Sequence, residues 1–150
     1  PSFCVIIDMN WIETLSPSLP RYLDAWVNLR GARKVPPLDQ FPEFMKMTAL
    51  DFTAVIGISE DRECTFSHVG SSIVVLYPGC EKGTRFASLS PVTLRLTSSR
   101  PINEVITTRQ PTTRRSTYRI SDSETFFEQL HLPFVDKNSK VRRVAIVGDG

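Results

Sequence analysis

The sequence predicts an α+β domain: a five-stranded antiparallel sheet with short helices packed on one face and a helix flanking its N-terminal side. Three observations predict it. Two runs rich in β-branched and alternating residues, 52–58 and 64–69, face each other across the charged turn Glu60-Asp61-Arg62-Glu63. The middle of the chain, from Gly70 to Pro111, is cut by glycine and proline into short apolar groups that suit brief helices. The last forty residues then return to strand alternation with strong turn signals between runs. Strands, then helices, then strands place the helical middle as the one connection long enough to cross the sheet.

Each element has a local reason. Residues 2–9 contain enough β-branched side chains for a strand, while 10–15 fit a helix no worse, so the N-terminal run stays open between the two. Ser18 is placed to cap the next helix, with Pro20 in the first turn, where a missing N–H costs little. Leu19, Tyr22, Leu23, Trp26 and Leu29 recur at three- and four-residue steps, and Gly31 stands where a left-handed terminating residue is wanted. Pro36-Pro37 forces an extended link. Asp39 opens a short helix carrying Phe41, Phe44, Met45 and Leu50. After the hairpin, Ser71 or Ser72 caps a short helix with Ile73, Val74, Leu76 and Tyr77, closed by Pro78-Gly79. Gly83 breaks the chain before a turn of helix around Phe86 and Leu89. The signals from Pro91 to Ser99 conflict, and a short helix begins near Ser99 and Pro101. Arg114 to Ile120, Phe126 to Val135 and Val141 to Val147 are strands. Ser121-Asp122-Ser123 and Asp136-Lys137-Asn138-Ser139 are the turns between them, and Phe126, Leu130, Leu132 and Phe134 share one face.

Composition narrows the functional classes. At 150 residues, with 41% apolar and 23% charged, the chain suits one domain with a sizeable core. A net charge of +2 demands neither nucleic acid nor an anionic membrane. No apolar run approaches the ~20 residues that cross a bilayer. Phe3 to Ile7 lacks the basic flank and cleavage site of a secretory signal. Cys4, Cys64 and Cys80 are odd in number and widely spaced, which reads as three reduced thiols in a cytoplasmic protein, and neither His68 nor His131 completes a metal-ligand spacing.

The residues also carry a resemblance. Tyr22, Trp26, Arg30, Arg33 and Pro36 follow a Y-x3-W-x3-R-x2-R-x2-P spacing. Pro42 with the run from Phe44 to Leu50, then Phe66, Val69 and Gly70, then Gly79 and Gly83, and finally Leu130-His131-Leu132-Pro133-Phe134 with Asp136 appear in that order. This pattern, from roughly Arg21 to Gly148, resembles the bacterial PAS-like domains grouped as PAS_5. His68 departs from it, standing where those domains carry arginine, and neither the stretch before Ser18 nor Arg95 to Ile102 belongs to it. The resemblance implies a PAS-like fold over 18–150, including the flanking helix 18–31. It leaves 1–17 as an N-terminal extension, whose apolar residues Phe3 to Ile7, Trp11 and Ile12 are the natural dimerisation segment.

Catalytic patterns are missing. Gly79-x3-Gly83 lacks the Lys-Ser/Thr of a phosphate loop, Ser71 and Ser72 sit in no G-x-S-x-G, and Asp8, Asp24, Asp51 and Glu104 show no paired acid–base spacing. His68 as a haem ligand and Cys64 as a flavin-attachment residue are both disfavoured, so no cofactor is expected. The expectation is a non-catalytic, cytoplasmic sensory or scaffold domain. It would be a homodimer that takes a small apolar ligand or a signalling protein partner. Alternation and the resemblance together nominate Phe66, His68, Ile73, Tyr118 and Leu130 as lining residues between sheet and helices. The alternative is a small enzyme, or a domain binding nucleic acid or an acidic partner through the basic segment Arg100, Arg109, Arg114, Arg115 and Arg119. Against the latter, Tyr118 is the one aromatic residue in that segment, and a solvated strand face explains the arginines as well.

Overall fold

A computed structural model describes residues 2–7, 18–77, 79–89, 92–120 and 123–148. The strands are β1 (Ser2–Ile7), β2 (Thr53–Ile58), β3 (Cys64–Val69), β4 (Thr112–Ile120), β5 (Ser123–Val135) and β6 (Val141–Gly148). The helices are α1 (Leu19–Arg30), α2 (Phe41–Lys46) and α3 (Val92–Thr108), with short 3-10 turns at Leu38–Gln40, Leu50–Phe52, Ile73–Leu76 and Phe86–Ser88. One antiparallel sheet runs in the order β1-β4-β5-β6-β2-β3. Its five strands β4-β5-β6-β2-β3, with a helical crossing between β3 and β4, form the expected antiparallel α+β core. β1 settles the open N-terminal assignment for residues 2–7: it is a sixth strand at the edge, paired from Ser2↔Tyr118 to Ile7↔Thr113. Trp11, Ile12 and the Ser121-Asp122 turn lie outside the described residues.

The helices do not share one face. β5 shows this best, because from Gln129 to Val135 it is buried on both sides. Leu130, Leu132 and Phe134 point to one face, where the Phe134 ring meets Phe41 at 5.1 Å and Phe44 at 5.5 Å, both on or at the start of α2. Gln129 and His131 point to the other, beneath Tyr77 and α3. The flanking α1 is therefore part of the core, with Leu19, Leu23 and Trp26 at 0–6% exposure. Here "outer" denotes the face under α1 and α2, and "inner" the face under α3 and the turns at Ile73–Leu76 and Phe86–Ser88.

Two residues of the sequence pattern join these layers. The Trp26 indole N–H donates to the Pro133 carbonyl at 2.8 Å. β4 ends opposite His131, so the Pro133 backbone has no strand on that side. A residue lacking an N–H is at home there, and its free carbonyl needs a donor. Two residues on, Val135 N–H donates to the Pro36 carbonyl at 3.1 Å, which ties the proline link to the same strand end. Arg30 lies over the Trp26 ring at 5.6 Å in a cation–π contact. Arg33 is exposed. Gly70 is required by close approach: a Cβ there would overlap the backbone oxygens of Leu50 and Asp51.

Three local expectations change. α3 runs through Pro101 over 17 residues, where a short helix starting near Ser99 was expected. Its packing against β4, β5 and β6 outweighs the one hydrogen bond that proline removes. Ser18 occupies the N-cap position of α1 but makes no side-chain capping bond, and neither does Ser72 before Ile73–Leu76. Asp39 lies inside the Leu38–Gln40 turn instead of capping a helix.

Candidate functional site

The inner face is mostly filled. Phe66 on β3 packs against Tyr77 at 5.1 Å and Phe86 at 5.0 Å, with Tyr77 and Phe86 themselves 6.5 Å apart. Ile73, Ile102 and Val105 close over the sheet at 0–3% exposure. Beside these rings lies a polar group at the β4–β5 pairing. Gln129 and His131 are fully buried, Arg114 is 1% exposed, and Thr112 and Tyr77 are buried with them. The register explains the grouping: Thr112 pairs with His131 and Arg114 with Gln129, so alternation sends all four side chains to the same face.

Their bonds leave specific atoms unused. The Tyr77 hydroxyl donates to Gln129 Oε1 at 3.3 Å, which turns the amide nitrogen away. Arg114 lies over the Tyr77 ring at 5.9 Å. His131 Nδ1 is 3.3 Å from the Thr112 carbonyl, which can only accept, and this assigns the ring proton to Nδ1. Thr112 Oγ1, 3.2 Å from the same nitrogen, passes its own proton to the Pro101 carbonyl at 3.4 Å. His131 Nε2 thus remains an acceptor. Among the described residues, neither it nor the Gln129 amide nitrogen has a hydrogen-bond partner. Buried polar atoms are rarely left without a partner, whether protein or water. Burial, reinforced by the Arg114 charge and partly opposed by the Thr112 carbonyl bond, pushes the His131 pKa down to about 3. The ring is therefore neutral across the physiological range and a poor general base.

The five nominated lining residues do not converge. Phe66 and Ile73 are on the inner face. Leu130 is fully buried but on the outer face, because β5 alternates and its apolar residues there meet α1 and α2. His68 is only half buried, with Nε2 3.0 Å from the Leu50 carbonyl. Simple alternation would put His68 beside Phe66. A bulge between Val55 and Ile56 pairs Phe66 with Ile56 and His68 with Val55, so the two side chains part. Tyr118 pairs through its backbone with Ser2 and Thr125, and its side chain lies outside the described set.

The basic segment is also divided. Arg100 and Arg109 are exposed, whereas Arg114 points into the core, so it belongs neither to a solvated strand face nor to a phosphate-contacting one. Arg115 and Arg119 lie in β4 with side chains outside the described set. The sequence does carry a trace of the polar cluster, since Gln129 and His131 interrupt an apolar strand at alternating positions. That alternation reads first as an exposed face, because only the three-dimensional layering shows that β5 is covered on both sides. Burial raises the thiol pKa values of Cys64 and Cys80, leaving both protonated. Among the described residues, no group of three metal-ligating side chains comes together, and no helix is long and apolar enough to cross a membrane.

No protein-family model matches the chain, and no curated protein matches it. Among solved structures, the chain is similar to that of an RNA-binding light-oxygen-voltage receptor, at 12% identity and a TM-score of 0.45. That alignment covers 99% of this chain, which spans 38% of the receptor's length.

Proposed function

We propose that this chain is a non-catalytic sensory or scaffold domain of the PAS_5 kind, acting in the cytoplasm by binding a small ligand or a protein partner. The observation that carries the reading is the pair of unpartnered, fully buried polar atoms on the inner face, Gln129 Nε2 and His131 Nε2. One donates and the other accepts, on alternate residues of one strand, about 7 Å apart along the backbone. A small molecule offering an acceptor and a donor at that separation would satisfy both, and bound waters are the competing occupants. The absence of catalysis is supported by chemistry: a histidine held neutral to about pH 3 and thiols held protonated are poor bases and nucleophiles. Signalling would then follow from a shift between two packings of α3 and the short turns over the sheet.

The test is native mass spectrometry of the purified protein, followed by a thermal-shift screen of polar metabolites on wild type and Gln129→Leu. A retained or stabilising compound that loses its effect in the variant supports the reading. A bare protein with no compound favouring wild type over Gln129→Leu would overturn it. A homodimer through the N-terminal segment 1–17 belongs to the same proposal, because β1 pairs with β4 along one side and its other edge can take the β1 of a second copy. Light scattering of a chain lacking residues 1–7 checks it: an unchanged dimer places the interface elsewhere.

A further inference from the structure

We infer that a second site, a basic groove beside the β5–β6 turn that shares no lining residue with the polar cluster, docks an acidic extended peptide with an apolar anchor residue. The groove lies where three segments meet: the link after α1, the residue that ends α3, and the β5–β6 turn. Its volume is about 1220 Å3 and it is open on one side. Arg33, Lys34, Arg109 and Lys137 line it around an apolar floor that includes Val35 and Val135. The inference rests on the protein-partner half of the function proposed above and leaves the inner-face ligand half untouched.

Charge and geometry choose the occupant. Two carboxylates also reach the groove, but Asp136 is already engaged. It accepts from Arg142 Nε at 2.8 Å and from the Asn138 and Lys140 backbone N–H groups at 2.8 and 3.1 Å, so its charge is answered from outside the groove. Asp39 alone remains against four cations, none of which forms an ion pair among the described residues. The walls are stapled together, by Val135 N–H to the Pro36 carbonyl at 3.1 Å and by Arg109 Nη1 to the Ser139 carbonyl at 3.3 Å. Arg109 also holds a left-handed backbone, φ 58°, in the position after α3 where glycine would be at ease. An arginine kept in a conformation that disfavours it points to a use for its side chain. The volume exceeds that of most enclosed small-molecule pockets, and its open side suits a chain passing through. Among the described residues no aromatic side chain lines it, and single-stranded nucleic acid needs such platforms.

Arg109→Gly removes the cation together with its bond to the Ser139 carbonyl, and glycine's ease in the left-handed backbone offsets that lost bond. The probes are fluorescein-labelled peptides alternating leucine with glutamate or leucine with lysine, and a labelled oligothymidine, followed by fluorescence polarisation. The Leu–Glu peptide should bind, weaken as salt rises, and weaken roughly ten-fold with Arg33→Gln and Arg109→Gly combined. The melting temperature of Arg109→Gly should stay close to that of the parent, because backbone relief and the lost Ser139 bond oppose each other. Equal binding of the Leu–Lys peptide, preference for the oligonucleotide, or indifference to both substitutions overturns the docking site. If the Leu–Glu peptide fails while an inner-face compound still discriminates wild type from Gln129→Leu, the groove inference falls and the ligand reading stands.

Discussion

The two faces of β5 are equally buried and chemically opposite. On the outer face, Leu130, Leu132, Phe134, Trp26 and Phe44 are all fully buried, and the one polar atom of that set, the Trp26 indole nitrogen, has its partner at 2.8 Å. On the inner face, Gln129, His131 and Arg114 are just as buried, yet Gln129 Nε2 and His131 Nε2 have no hydrogen-bond partner among the described residues. A strand needs apolar surface to hold its helices, and the outer face shows that this chain can supply it without a flaw. The polar inner face is therefore not what packing alone asks of β5, and such departures gather where a protein does something other than fold.

The outer face should give the larger stability effect. Trp26→Ala removes the most voluminous fully buried side chain among the described residues and leaves the Pro133 carbonyl without its donor, so urea denaturation should show a loss of about 3–5 kcal/mol. Trp26→Phe keeps most of the apolar volume and should lose about 1–3 kcal/mol, the cost of the stranded carbonyl. A loss below about 1 kcal/mol for Trp26→Ala would mean that α1 is an appendage and not half of a core.

That comparison also marks where sequence reasoning reaches. α1 is legible because its apolar spacing, Pro20 and Gly31 are all local signals, and Asp136 announces its turn through bonds to residues two and four positions away. The strands are legible because alternation is local as well. What fails is whatever depends on layering or register. Arg114 reads as solvent-facing until α3 is placed above it, and His68 reads as a neighbour of Phe66 until one bulge shifts the ladder. Pro101 reads as a helix start because the favourable packing of α3 on the sheet cannot be seen along the chain. The Trp26–Pro133 bond spans 107 residues, and although both ends stand out in the pattern, nothing local says that they meet.

The inner face should dominate the acid response. Unfolded His131 takes up a proton as pH falls through about 6.5, while the folded ring resists to about 3, so the unfolded state binds more protons in that window. Stability is then complete above about pH 6.5 and falls by about 1.4 kcal/mol per unit below it, or roughly 3 kcal/mol by pH 4.5. His131→Gln can still donate to the Thr112 carbonyl and should flatten that slope. Asp136 works lower. Its bonds to Arg142 and the turn hold its pKa below the usual carboxylate value, and that stabilisation is present above about pH 4 and lost as pH falls through the folded pKa. A parent and a His131→Gln variant that lose stability in parallel between pH 6.5 and 4.5 would show that the histidine is not held neutral.

The smallest effect on stability is the most diagnostic of function. Gln129→Leu replaces a half-satisfied amide with an apolar side chain of similar size, removing one unpartnered donor but also the acceptor of the Tyr77 hydroxyl. The two changes are of comparable magnitude, so the net should lie within about 1 kcal/mol of zero in the ligand-free protein. An outer-face polar substitution such as Leu130→Gln offers the reverse case, creating a buried amide with no designed partner and costing about 2 kcal/mol or more. The contrast is read by measuring both variants with and without a stabilising compound from the thermal-shift screen. Gln129→Leu should keep its stability and lose the compound's effect, whereas Leu130→Gln should lose stability and keep it. If Gln129→Leu instead destabilises the free protein as severely as Leu130→Gln, the amide is an ordinary structural member and the distinction between the faces disappears.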